Sequence, residues 1–170
     1  MAYSHDEAEG RAQNYAANQG LTLGQSLGFG VHGQVWATNR RSAVKAHAPD
    51  APHYARERDI YLRLQERSVT EVRGFHVPQL LGFDDDLWVL EISIVRPPFV
   101  LDFAGAYLDQ RPDFSDETWA EWESDKKEQF GAKWPQVRLV LAALERYGIY
   151  MSDVTPNNVR FAGEEIDGRS

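Results

Sequence analysis

The chain contains no cysteine. That excludes disulfide staples and thiolate zinc sites. Long apolar runs are also missing. Met1 to Gly20 is polar and lacks the hydrophobic core of a signal peptide, and no later stretch has the length of a membrane span. A soluble cytoplasmic protein without a membrane partner is the expectation. Basic residues are scarce beside acidic ones: 18 Lys and Arg against 26 Asp and Glu give a formal net charge of -8. General nucleic-acid binding rests on basic surface, so no nucleic-acid partner is expected. A nucleotide ligand stays open, because Mg²⁺ can carry the phosphate charge.

What is present suits one domain or two small lobes. Hydrophobic residues make up 42% and charged residues 26%, a globular balance that argues against disorder. Residues 1–20 read as an N-terminal extension with a polar helix over Glu7 to Asn18, its apolar side too thin to do more than lean on the rest. Residues 21–95 read as an antiparallel lobe. Leu21 to Leu27 leads into a glycine loop, Gln34 to Thr38 returns, and Ser42 to His47 forms a third strand after the turn Asn39-Arg40-Arg41. A helix follows from about Ala51 to Arg67. Glu57, Ile60, Tyr61 and Leu64 fall at i, i+3, i+4 and i+7, which puts a carboxylate on its apolar face. Such a carboxylate needs a partner. Gln79 to Phe83, the acidic turn at Asp84 and Leu87 to Glu91 predict a hairpin.

Arg96-Pro97-Pro98 is stiff and extended and marks a boundary. Residues 96–170 are expected to be mainly helical. The apolar stretch Phe99 to Leu108 allows a short helix after Val100. Ser115 caps a helix that ends before Gly131, and Pro135 opens another that ends before Gly148. Val137, Leu141 and Leu144 give the second its apolar stripe. Ile149-Tyr150-Met151 then enters Ser152-Asp153.

Two stretches carry chemistry. The first is Gly28-Phe29-Gly30-Val31-His32-Gly33-Gln34-Val35, followed by Ala43-Val44-Lys45. A glycine loop lets backbone N–H groups approach phosphate oxygens without a Cβ in the way. Lys45 on the neighbouring strand can reach the same phosphates as a point charge, and Glu57 can hold it there. Taken singly, the glycines could be a tight hairpin, Lys45 a solvated strand-edge lysine and Glu57 a surface charge. The second stretch is Met151-Ser152-Asp153-Val154-Thr155-Pro156-Asn157-Asn158, where Asp153 and the asparagines could equally be turn residues. His32 reads as an exposed loop tip.

Together these elements resemble the protein-kinase-like superfamily from about Leu21 onward. The resemblance implies a two-lobed α+β fold: an antiparallel β-sheet lobe with one helix, and a reduced, mainly helical C-terminal lobe without the family's activation segment and peptide-binding helices. It implies ATP and Mg²⁺ between the lobes. Gly28, Gly30, Gly33 and Val35 would cover the nucleotide, with Lys45 on the phosphates and Glu57 positioning Lys45. Glu91 would lie where the strand enters the adenine hinge. Asp153 would act on an acceptor hydroxyl, and Asn158 with Asp167 would bind Mg²⁺. Met151-Ser152 stands where the family has His-Arg, Thr155 where it has a lysine, and Asp167 lacks a following Phe. The expected activity is phosphoryl transfer from ATP to an unidentified hydroxyl acceptor. The alternatives are a pseudokinase-like module that binds nucleotide or a protein partner without turnover, and a small-molecule kinase of the aminoglycoside-phosphotransferase type.

Overall fold

The computed structural model describes residues 4–30, 32–49 and 52–164. Helix α1 (His5–Gln19) starts at Ser4, whose hydroxyl accepts from the Glu7 N–H, and ends at Gly20, whose left-handed backbone lets its N–H cap the last carbonyls. Ala8, Ala12, Tyr15 and Ala16 are buried. The expectation that α1 merely leans on the domain is therefore corrected. Alanines present little hydrophobicity to a sequence pattern, but they let the helix backbone come close to a sheet.

That sheet follows. Strands β1 (Leu23–Gly30), β2 (Gly33–Thr38) and β3 (Ser42–His47) form a meander. After helix α2 (Pro52–Glu66) come β4 (Glu71–Val72), β5 (Phe75–His76), β6 (Leu80–Asp84) and β7 (Val89–Ser93). The main sheet is antiparallel throughout, in the order β1-β2-β3-β7-β6. β3 lies at its centre and is buried along its whole length. Strand alternation explains what covers it. Val44 and Ala46 pack with α1, whereas Lys45 and His47 reach Glu57 on α2. Arg11 of α1 donates to the carbonyls of Leu87 and His47, which ties the helix to the ends of β3 and β7.

Beyond Ser93 the chain passes a cis Pro97–Pro98 bond into β8 (Phe99–Val100) and β9 (Tyr107–Leu108). No helix follows Val100, contrary to expectation. The chain turns instead at Asp102, which has φ of 64°. Left-handed backbone costs a non-glycine residue roughly 1–2 kcal/mol. Phe103 next to it is fully buried, edge-on to Tyr61. Burying a side chain of that size contributes about 1.5–3 kcal/mol, enough to hold the turn.

Helix α3 (Asp116–Phe130) is capped by Ser115, as its sequence predicts, and a 3₁₀ turn leads to α4 (Trp134–Glu145). Strands β10 (Ile149–Tyr150) and β11 (Val159–Arg160) close the described chain. β10 pairs with β9, and β11 joins the second sheet in the order β11-β8-β5-β4. Val137, Val140 and Leu144 of α4 share one hydrophobic core with Ile60, Tyr61 and Leu64 of α2. The fold is α+β with an antiparallel main sheet. No helix among the described residues is long and apolar enough to cross a membrane.

Candidate functional site

Between the underside of the main sheet, α2 and the segments after β8 and β10 lies a cavity of about 600 Å³. That size suits a small-molecule ligand. Its roof comes from the β1–β2 hairpin. The register puts Gly30 opposite Gly33, so the turn is tight. Gly33 has φ of 150°, and a Cβ there would overlap the Ala46 carbonyl oxygen on β3. Only glycine lets β2 approach β3 this closely. Gly28 also lies in the glycine-favoured region and opens onto free space.

The floor is built around Lys45. Its Nζ donates to both oxygens of Glu57, at 3.2 and 2.8 Å, and to Oδ1 of Asp102 at 3.2 Å. Glu57 is 1% exposed and receives a third bond from Nε2 of His47 at 2.5 Å. An ionised carboxylate only accepts, so Nε2 carries the proton of that imidazole. Burial alone would raise the Glu57 pKa, but Lys45 and His47 outweigh it and hold it at about 2. Burial works against the Lys45 ammonium too, and Glu57 and Asp102 reverse the balance and raise its pKa. For His47 desolvation dominates over the Glu57 bond and lowers the pKa, so the imidazole is neutral near pH 7.

The far wall comes from the stretch after β10. Asp153, Asn157 and Asn158 line the cavity together with Leu101 and Asp102. The β8–β11 pairing brings these two segments together: Val159 lies opposite Val100, and Leu101 N–H donates to the Asn158 carbonyl at 2.7 Å. Asn158 Nδ2 donates to the Asp153 carbonyl at 3.4 Å, which leaves its amide oxygen uncommitted by that bond. A Cβ on Gly105 would stand 3.1 Å from the Asp153 Cβ, so the Asp102 turn packs directly on the Asp153 loop. On the other side of that loop, Trp122 Nε1 of α3 donates to the Ser152 carbonyl. The opposite end of the cavity is lined by Ile92, Ser93, Ile94 and Val95, with Ala43 and Val35 above them.

Gly28, Gly33, Val35, Lys45, Glu57, Asp153 and Asn158 therefore line one cavity. Gly30 lies in the hairpin that roofs it. Glu91 is elsewhere. Strand alternation turns it to the α1 face, where its carboxylate accepts from the hydroxyls of Tyr15 at 3.0 Å and Ser42 at 2.6 Å. Asp167 lies outside the described residues. Asp102, His47 and His32 were not anticipated at the site. Only Asp102 carries a local signal: Phe103 follows it and Gly105 comes soon after, the residue types looked for at Asp167.

The charges lining the cavity are Lys45 against Glu57, Asp102 and Asp153, a net excess of two negative charges with histidines neutral. A polyphosphate would be repelled unless a divalent cation came with it. Among the described residues no three His, Cys, Asp or Glu side chains gather into a metal site on their own. Mg²⁺ takes one or two protein oxygens and completes its shell with phosphate and water. The Asp102 carboxylate, 35% exposed, and the Asn158 amide oxygen are suitable donors. A scan against protein-family models finds no match for this chain, and a search of the curated proteins finds none.

Proposed function

We propose that the protein is an ATP-dependent phosphotransferase of protein-kinase-like type, with Mg-ATP held in the cavity beneath the glycine hairpin. The observation that carries this reading is the buried Lys45–Glu57 pair, joined by Asp102, in one cavity with Asp153 and Asn158. Lys45 donates to the phosphates while Glu57 and His47 keep its ammonium aimed and charged. Backbone N–H groups of the hairpin cover the phosphates, and the apolar end near Ile92 to Val95 takes the base. Asp153, exposed at the cavity wall, orients the acceptor hydroxyl and accepts its proton. Asp102 and Asn158 hold the metal, which when bound offsets phosphate charge. Asp102 contributes its carboxylate from a turn that precedes the Asp153 loop in the chain. Catalysis in such a site is positioning and electrostatics, so these fixed partners are what the chemistry needs.

A nucleotide-binding module without turnover is the second reading. Thr155 favours it, because the residue supplies no cation where the family has a lysine. A thermal-shift titration with ATP, with and without Mg²⁺, tests binding. Stabilisation by Mg-ATP, weakened strongly in Asp102→Asn, is expected; no shift at millimolar nucleotide would remove both readings. Phosphoryl transfer or ATP hydrolysis that disappears in Asp153→Ala, with Mg-ATP binding kept, selects the enzyme. Binding without turnover in the wild type selects the module.

A further inference from the structure

His32 stands at the tip of the β1–β2 hairpin and lines the cavity that also holds Lys45, Asp102, Asp153 and Asn158. It is partly buried, not a free loop tip. Its ring lies 4.1 Å from that of His53 on α2, centroid to centroid, tilted by 46°. His53 is itself fixed: Nδ1 lies 2.7 Å from the Ala104 carbonyl oxygen. A carbonyl only accepts, so that nitrogen carries the proton. The hairpin tip is thereby held against α2, and α2 against the turn that bears Asp102. Gly33, directly after His32, is pressed against β3, which fixes the tip from the other side.

The charged and titratable groups that act on His32 are His53, Asp102, Lys45 and Asp153. These mark the phosphate-transferring end of the cavity, opposite its apolar end. We infer that His32 contacts the substrate, its imidazole donating a hydrogen bond to the terminal phosphate of a bound nucleoside triphosphate. This rests on the nucleotide-binding reading above and adds to it a side chain that distinguishes triphosphate from diphosphate.

In the protein without ligand, burial lowers the His32 pKa, and His53 and Lys45 push the same way against Asp102 and Asp153. The imidazole is then neutral near pH 7 with one N–H to give. A phosphate dianion beside it favours the protonated form, so triphosphate binding takes up a proton.

Calorimetric titration with Mg-ATP and Mg-ADP tests this on the wild type, His32→Ala and His32→Gln. Expected is a loss of about tenfold or more in the preference for ATP over ADP in His32→Ala, the scale of a charge-assisted hydrogen bond. ADP affinity stays near wild type, and His32→Gln recovers part of the loss through its amide donor. As pH falls from about 8 to about 6, the wild-type preference for ATP grows more than that of His32→Gln, which has no titrating side chain there. An unchanged ATP-to-ADP ratio in His32→Ala overturns the inference while leaving the nucleotide reading intact. So does an equal loss of both nucleotides, which would make His32 a part of the hairpin's shape only. A wild type that binds neither nucleotide overturns the nucleotide reading and this inference with it.

Discussion

Replacing Glu57 by glutamine keeps the size of the side chain and removes its charge. Lys45 is then left, 8% exposed, with Asp102 as its remaining carboxylate at 3.2 Å. Two independent routes give the cost. Breaking a buried ion pair by neutralising one member typically costs about 3–5 kcal/mol. The Glu57 pKa, depressed from 4.5 to about 2, is worth about 3 kcal/mol at roughly 1.4 kcal/mol per unit. Because the folded pKa is the lower one, this stability is fully present above pH 4.5. It is lost as pH falls toward 2. His47 adds to the acid limb in the same direction. Its folded pKa is also lowered, so the unfolded chain takes up that proton first, and stability begins to fall below about 6.5.

Glu57→Gln should therefore lower Tm at neutral pH by roughly 6–12 °C, at 2–4 °C per kcal/mol for a chain of this length. Its stability should also fall less steeply than that of the wild type below pH 4.5. Urea melts followed by tryptophan fluorescence read this directly, since five tryptophans report on the fold. Melts at pH 7 and at about pH 3.5 give both numbers. A variant within about 0.5 kcal/mol of wild type at pH 7, or with the same acid limb, would refute the claim that Lys45, Glu57 and His47 form one charge-balanced unit.

Two further outcomes follow from the hairpin and from the outer face of the sheet. Gly33→Ala puts a Cβ into the Ala46 carbonyl and should cost about 2 kcal/mol or more by thermal melt. Gly28→Ala meets no neighbour, bears only its backbone strain and should cost less. Tyr15→Phe takes one of two hydroxyl donors from the buried Glu91 carboxylate and should cost about 1–2 kcal/mol in a urea melt. Nucleotide binding should be unaffected, because Tyr15 and Glu91 lie on the far side of β3 and β7 from the cavity.

The parts of the site that could be read from sequence were those with a local pattern. Gly28, Gly30 and Gly33 declare a tight hairpin, and Lys45 sits on an alternating strand beside it. Glu57 declares itself by falling on the apolar face of α2, which left it needing a cation. Asp153 and Asn158 come with a rigid proline between them. The residues that escaped lack a period. Asp102 sits at a left-handed turn between two short strands, and its neighbours are apolar enough to suggest a helix. His47 looks like the end of a strand until Glu57 is folded against it. His32 looks exposed until His53 comes across from α2. Glu91 sits on β7 next to the cavity lining at residues 92–95, and strand parity sends its carboxylate to the α1 face. The packing of α1 leaves little trace in the sequence because alanine contributes contact through closeness rather than through bulk.

The pairing of β8 with β11 has a consequence for how the site comes into being. Lys45, Glu57 and Asp102 all precede α3, whereas Asp153 and Asn158 follow α4. A chain made from its N-terminus has the first group available early. The second group joins it only when Val159 reaches Val100. Until that last short pairing forms, Asp102 has a lysine partner but no opposing wall. Closure of the cavity thus waits until synthesis has passed Val159, and a nascent chain carries its charge pair well before it carries the wall that faces it.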